Sequence, residues 1–523
     1  MIVAFVAACL LVPAGASARV DRGPRNYPEF TYERVRVEMR DGIELSADIY
    51  RPATPKNVRV PVILSMSPYH LLNRALDRNE ADLPSGDGQL FVPKGYAYVV
   101  ADVRGTYNSG GCWDYGGINE RHDGYDLVEW LGTRDWSNGK VAMTGASYDG
   151  TTANAAAVEN PPHLATIVPV SSISRWWGYA YQQGVRATYS GESADIDPPS
   201  DTPTDFMFAY GFLPPPDPGS LTAAQQIAMR WNVCDRVEKF MKGYSTQPDY
   251  DKFWQERDYL RLADRVKVPV LVTHGQLDFN VKTWEGTQWF QAVKTEKAMV
   301  IGQWPHASPR GNYPEWDFFL ERWFERWLYG VHNGVEDEPA IRIETNDNVW
   351  RTDETWGGVM KRFPLLGSGP AVEFNYTDDG HLTESEMTRG IGSGYMRIEV
   401  PGTTGIRIQG RPILHLSASS DAASTHLVGI LCDVGPSGSC GIVSRAALNA
   451  RFNDGLTKGK DLEPGKVYDF KLEFIDKDYV LAKDHHFEVI VASSSNTWFA
   501  PNEERATNTI YLKDSFLDLP IQR

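Results

Sequence analysis

Six short, almost uninterrupted apolar runs recur between residues 60 and 304: VPVILSMS, YAYVVADVRG, KVAMTGAS, LATIVPVS, VPVLVTHG and KAMVIGQW. A strand with one wet face alternates apolar and polar side chains. A run apolar at nearly every position needs cover on both faces, which is the condition of a parallel sheet between helices. Segments such as GYDLVEWLGTRDW, between the second and third runs, have the helical spacing to supply that cover. An α/β fold with a doubly covered sheet follows.

The flanking sequence divides the rest. YERVRVEMRDGIELSADIYRP alternates around Asp41-Gly42 and predicts a β-hairpin ahead of the sheet. Between Ser171 and Tyr259 the strand pattern gives way to aromatic and proline-rich sequence, expected to be a helical insertion over one end of the sheet. PEWDFFLERWFERWLYG predicts a closing helix whose aromatic stripe belongs to the core. After Pro339, short strands such as PILHLSASS, LVGILCDV and HFEVIVASS predict an all-β jelly-roll or sandwich. The expected organisation is therefore a leader over residues 1–18, a first core part over 19–170, a helical cap over 171–259, a second core part over 260–335 and a β-domain over 336–523.

The leader is an apolar run ending in Ala16-Ser17-Ala18, which suits signal-peptidase cleavage before Arg19 and an exported product. No Lys or Arg precedes the run, so a start upstream of Met1 stays open. The run is too short for a comfortable membrane span. Without Cys9 the chain keeps Cys112, Cys234, Cys432 and Cys440, an even number suited to an oxidising compartment. Cys432 and Cys440 flank a turn-rich stretch and can close a small loop, which leaves Cys112 and Cys234 as a pairing the sequence does not establish. With 52 basic against 68 acidic residues the net charge is −16, which argues against a nucleic-acid partner. No C-x-x-C or H-E-x-x-H spacing occurs, so neither a metal site nor a cofactor is expected.

The run KVAMTGASYDGTTANAAA delivers Ser147 to a strand-to-helix turn between Gly145 and Gly150. That geometry exposes a nucleophilic hydroxyl, although the second glycine stands one place later than in G-x-S-x-G, and a serine there can equally cap a helix. A neutral serine needs a base, and the base needs an acid to orient it. Asp278, after VPVLVTHG, and His306, after KAMVIGQW, follow in the Ser-Asp-His chain order of this fold class, each beyond a strand that ends at the same sheet edge. His274 is the rival base. The backbone N–H of Tyr148 and the phenol of Tyr69 are candidate donors to an oxyanion.

With these residues in place, the run ERHDGYDLVEWLGTRDWSNGKVAMTGASYDGTTAN resembles the signature of peptidase family S15, the Xaa-Pro dipeptidyl-peptidase and cocaine-esterase group of serine hydrolases. The resemblance runs from about Tyr32 to the chain end. SYDGTTAN, ISRWWGYAYQQG and HGQLDFNV look closer to secreted actinobacterial Xaa-Pro dipeptidyl-peptidases than to the esterase branch. It implies the triad Ser147, Asp278 and His306, a tyrosine hydroxyl from Tyr69 in the oxyanion hole, and an aromatic proline pocket from Tyr148, Trp176, Tyr179 and Val281. A compact, apolar pyrrolidine ring suits such a box, while Trp176 and Trp177 serve equally well as core. A dipeptidyl-peptidase also reads a free α-ammonium, for which Glu192, Asp195 and Asp197 are the candidate carboxylates, each alternatively part of a solvated acidic loop. The expected substrate is a peptide or a small ester or amide. Amino-acid-ester hydrolysis of the cocaine-esterase type is the alternative activity.

Overall fold

The computed structural model describes residues 26–69, 82–187, 232–241, 248–278, 280–306, 309–365, 373–378, 382–496, 498–502 and 504–522. The expected leader over 1–18 lies outside them.

Strands β1 (Phe30–Glu38) and β2 (Glu44–Pro52) form the hairpin, turning at Gly42 with a positive φ of 80°. They are followed by β3 (Val60–Ser67), β4 (Ala97–Asp102), β5 (Ser137–Ala146), β6 (Leu164–Val170), a two-stranded ribbon of β7 (Tyr181–Gln182) and β8 (Val185–Arg186), then β9 (Val270–Gly275), β10 (Lys297–Gly302), β11 (Ile341–Glu344) and β12 (Trp350–Asp353). Ten of these make one sheet in the order β1-β2-β4-β3-β5-β6-β9-β10-β11-β12. From β4 to β11 the neighbours are parallel; β1, β2 and β12 add antiparallel edges.

The period of two explains why the inner runs lack polar positions. Val62, Leu64 and Met66 of β3 join one core with the helices Ile118–Gly132, Tyr148–Ala157 and Trp284–Ala292, whereas Ile63 faces a second core with the helix Trp316–Phe324. The small residues of the second helix set the spacing on the first face: a Cβ added to Gly124 would come within 2.7 Å of the Ala156 methyl. On the other face Trp323, buried with Trp316, Phe319 and Phe324 of the aromatic stripe, donates from Nε1 to Thr166 Oγ1 at 2.8 Å.

Beyond β12 lie two sheets. The 17-residue strand Ala506–Gln522 organises a seven-stranded one, and Tyr395–Val400, His486–Ala492, His426–Val434 and Cys440–Asn449 form a four-stranded one. Leu414, Leu416 and Leu517 of the first and Ile398, Leu431 and Val489 of the second share one apolar core. The expected boundary at residue 336 needs correction. β11 pairs in parallel with β10, and β12 returns against β11, so the ten-stranded sheet continues to Asp353. Composition does not separate these strands from those that follow; only their partners do.

Within the expected cap, the described stretches hold the short helices Trp176–Ala180, Asp235–Met241 and Lys252–Glu256 besides the β7–β8 ribbon. Two disulfides, Cys112–Cys234 and Cys432–Cys440, are formed. The first fastens this region to the core, reinforced by the Trp113 N–H on the Asn232 carbonyl at 2.6 Å and the Cys234 N–H on that of Trp113 at 3.0 Å. Among the described residues no helix is long and apolar enough to cross a membrane.

Candidate active site

Ser147 sits between β5 and the helix Tyr148–Ala157 at φ 62° and ψ −121°, a backbone conformation that costs a non-glycine residue of order 1–3 kcal/mol. Its N–H donates to the Val170 carbonyl at 2.9 Å, and its own carbonyl accepts from the Thr151 N–H at 3.0 Å. The displaced glycine has a direct cause. A Cβ on Gly150 would meet the Gly145 carbonyl at 2.7 Å and the Val170 N and O at 2.9 and 3.0 Å, all backbone atoms. Gly150 thus lets the helix start against β5 and β6, while position 149 carries an aspartate.

The loops after β9 and β10 bring Asp278 and His306 together. Asp278 Oδ2 lies 2.7 Å from His306 Nδ1; Oδ1 accepts from the N–H groups of Asn280 and Val281 at 3.0 and 2.9 Å. With Nδ1 committed to the carboxylate, Nε2 is the ring nitrogen left for proton transfer. His274 is occupied otherwise. Its side chain is wholly buried, its Nε2 donates to the Val281 carbonyl at 2.8 Å, and burial lowers its pKa, so it braces the Asp278 loop from behind.

Tyr69 lies two residues beyond the end of β3 at the same sheet edge, half-buried, its N–H on Ser67 Oγ at 3.0 Å. Tyr148 opens its helix, so its N–H has no carbonyl to bond within the helix. Its ring is buried, and its phenol donates to Glu120 Oε2 at 2.5 Å while accepting from Trp113 Nε1 at 2.9 Å and the Gly116 N–H at 3.1 Å. Burial, with Asp114 adding to it, pushes the Glu120 carboxyl up to about 7.

Trp176, Tyr148 and Tyr179 form one aromatic cluster beside the serine turn. The Trp176 ring lies 5.3 Å from that of Tyr148, 5.9 Å from that of Tyr179 and 4.3 Å from that of Tyr115, and its Nε1 donates to Tyr259 Oη at 3.0 Å. Trp177 points elsewhere, to the Pro248 carbonyl and the ring of Tyr250. Val281 is buried next to the Asp278 loop. Glu192, Asp195 and Asp197 lie outside the described residues.

Three groups escaped the sequence reading. Asn280 accepts from the Tyr179 hydroxyl at 2.9 Å, and Lys282 Nζ donates to the Tyr179 carbonyl at 2.9 Å, so the Asp278 loop and the aromatic cluster are held as one piece. Lys477, from the β-rich region, donates to the Gln276 carbonyl two residues before Asp278, and burial lowers its ammonium to about 7. Asn280 stood within HGQLDFNV; Lys477 carried no local signal. Among the described residues no three His, Cys, Asp or Glu side chains are grouped so as to hold a metal ion.

A mostly parallel sheet with a strained serine after β5 and an aspartate-histidine pair after β9 and β10, beyond β6 along the same edge, is an α/β-hydrolase arrangement. Residues 41–308 match the X-Pro dipeptidyl-peptidase (S15) family and residues 398–519 match the X-Pro dipeptidyl-peptidase C-terminal non-catalytic domain. The chain belongs to the S15 family of hydrolases. It is 26% identical to a putative Xaa-Pro dipeptidyl-peptidase of Streptomyces avermitilis, over 99% of this chain and 88% of that one. It is 24% identical to the cocaine esterase of a Rhodococcus species, over 91% and 92%. Among solved structures, an α-amino acid ester hydrolase superposes with a TM-score of 0.76 at 20% identity, covering 98% of this chain and all of the other, a likeness of fold.

Proposed function

We propose that the chain is an exported serine hydrolase that releases N-terminal Xaa-Pro dipeptides through an acyl-enzyme. The observation that carries this reading is the 2.7 Å Asp278–His306 contact at the sheet edge where the strained Ser147 turn lies. Ser147 Oγ attacks the prolyl carbonyl as His306 Nε2 takes its proton. The new oxyanion is met by the Tyr148 N–H and the Tyr69 phenol. His306 then passes the proton to the leaving amine, the C–N bond breaks, and water, activated by the same nitrogen, hydrolyses the ester and returns Ser147. Asp278 holds the imidazole and stabilises its cation. Trp176, Tyr179 and Val281 flank the proline ring, and Glu192, Asp195 or Asp197 pairs with the substrate's ammonium. The C-terminal strands follow a jelly-roll path, and the Ala16-Ser17-Ala18 site marks the end of a leader.

The cocaine-esterase relative supports a second reading, ester hydrolysis by the same triad. Turnover of Ala-Pro p-nitroanilide, its N-acetyl derivative and an aryl acetate separates the two. Fast cleavage of the free-amine anilide and slow cleavage of the acetylated one is expected. Equal rates on both anilides, or rapid ester turnover with neither anilide cleaved, would favour the esterase.

A further inference from the structure

Where G-x-S-x-G has its second glycine, this chain has Asp149, and the fold makes room for it. A Cβ on Gly145 would lie 2.3 Å from the Asp149 Cβ and 3.2 Å from Ser65 Oγ, so the bare glycine opens the space the aspartate fills. Its carboxyl points at the end of β3. Ser65 Oγ donates to Oδ2 at 3.3 Å, and the Ser67 hydroxyl bonds the same carboxyl. Ser67 Oγ in turn accepts the Tyr69 N–H at 3.0 Å. A second strut runs alongside, Thr152 Oγ1 bridging the Met66 carbonyl at 2.9 Å and that of Asp149 at 2.8 Å. Two short side-chain paths thus join the turn that carries Ser147 to the strand end that carries Tyr69.

We propose that Asp149 is a positioning residue for the hydrolytic reaction, one that fixes the nucleophile turn against the Tyr69 segment. This rests on the reading of Ser147 and Tyr69 given above. Asp149 acts as the neutral acid. Its Oδ1 is shut off from solvent and has no hydrogen-bond partner, and the carboxyl bonds two neutral hydroxyls rather than a cation. An anion so placed is costly, and burial accordingly pushes this carboxyl up to about 7. The titratable groups beyond the serines are Tyr98, bonded to Ser65 and kept protonated by burial, then Asp87 with Arg310 and Asp317. On the helix itself the neighbour is Tyr148, also kept protonated by burial. Once ionised, Asp149 would set a negative charge two residues from the serine on which an oxyanion must form. The acylation rate then falls as the pH rises past the Asp149 titration.

The test follows the rate at which a fluorophosphonate labels the serine, from pH 5 to pH 9, in the parent enzyme, Asp149→Asn and Asp149→Ala, with kcat and KM on Ala-Pro p-nitroanilide and an aryl acetate alongside. Asn has the shape of the neutral acid and no charge. Asp149→Asn should keep within about threefold of the parent rate at pH 6 and lose the alkaline fall. Asp149→Ala should lose about tenfold or more in kcat at every pH with KM little changed, because the carboxyl path to the Tyr69 segment is gone and only the Thr152 path is left. Profiles that superimpose for the parent and Asp149→Asn, or an unchanged kcat in a folded Asp149→Ala, would overturn the assignment of Asp149 alone. A parent enzyme that fails to label would instead sink the serine-hydrolase reading, and this inference with it.

Discussion

Replacing Asp278 by Asn exchanges one carboxylate oxygen for an NH2, and the structure dictates which end receives it. Oδ1 accepts two backbone N–H groups, from Asn280 and Val281, whereas Oδ2 faces His306 Nδ1. The amide oxygen must therefore take the backbone side. Turning it over would press an NH2 against two donors and leave both buried N–H groups unsatisfied, at about 1–3 kcal/mol each. The amide NH2 then points at His306 Nδ1 and forces that nitrogen to accept. The proton moves to Nε2, where the base must be free. Activity should fall about 10⁴-fold, or about 5 kcal/mol in the barrier, with little change in stability because every backbone bond to the side chain survives. The assay is kcat/KM on Ala-Pro p-nitroanilide from pH 6 to pH 9 together with a thermal melt. A loss smaller than about tenfold in a variant with the parent melting curve would refute the tautomer reasoning and move the role of the acid elsewhere.

Ser147→Ala should abolish fluorophosphonate labelling and lower turnover by about 10⁶-fold, and His306→Ala should come close to it; residual labelling in the first variant would reassign the nucleophile. Trp176→Ala removes a fully buried indole with three ring neighbours and should cost about 3–5 kcal/mol of folding stability as well as weakening prolyl substrates; a urea midpoint equal to the parent's would show that the ring does not pack as a core group. Glu120 binds its proton more tightly folded than unfolded, so it subtracts stability as the pH rises from about 4.5 to about 7, by about 3 kcal/mol at most, and Glu120→Gln should flatten that part of the stability curve while leaving it unchanged below pH 4. Serine at both Cys112 and Cys234 opens a link between residues 122 apart and should cost about 5 kcal/mol on the chain-entropy account; a loss below about 1 kcal/mol would show that the backbone bonds at Trp113 fasten this region unaided.

The sheet was legible because its inner strands are covered on both faces, a condition that marks each run by itself. The order of Ser147, Asp278 and His306 was legible for a related reason: each follows such a run, and parallel strands deliver their following loops to one edge. The limit of the hydrolase sheet was not, since Ile341–Glu344 and Trp350–Asp353 are ordinary short strands: the first owes its place to a partner, β10, about forty residues earlier, and the second owes its place to the first. Lys477 failed to show for the same cause, its partner at Gln276 lying two hundred residues away in sequence.

The neighbouring tryptophans show where local pattern gives out. Trp176 and Trp177 stand on one short helix, about 100° apart around its axis, so either can face the serine turn while the other faces away. Sequence spacing is indifferent to that rotation. It is set by the preceding residues, which are gripped from outside the helix: Glu285 Oε2 accepts the N–H groups of Ser174 and Arg175 at 2.8 and 2.9 Å and the Ser174 hydroxyl at 2.7 Å. With the helix start held there, Trp176 turns to Tyr148 and Tyr259, and Trp177 turns to Tyr250 and the Pro248 carbonyl. Glu285 belongs to the helix that follows the Asp278 loop, so the segment that orients the aromatic wall and the segment that carries the candidate acid are held by a single carboxylate. On the function proposed above, Glu285→Gln should therefore raise KM for Ala-Pro p-nitroanilide and slow fluorophosphonate labelling together, although Glu285 is neither in the aromatic cluster nor in the serine turn.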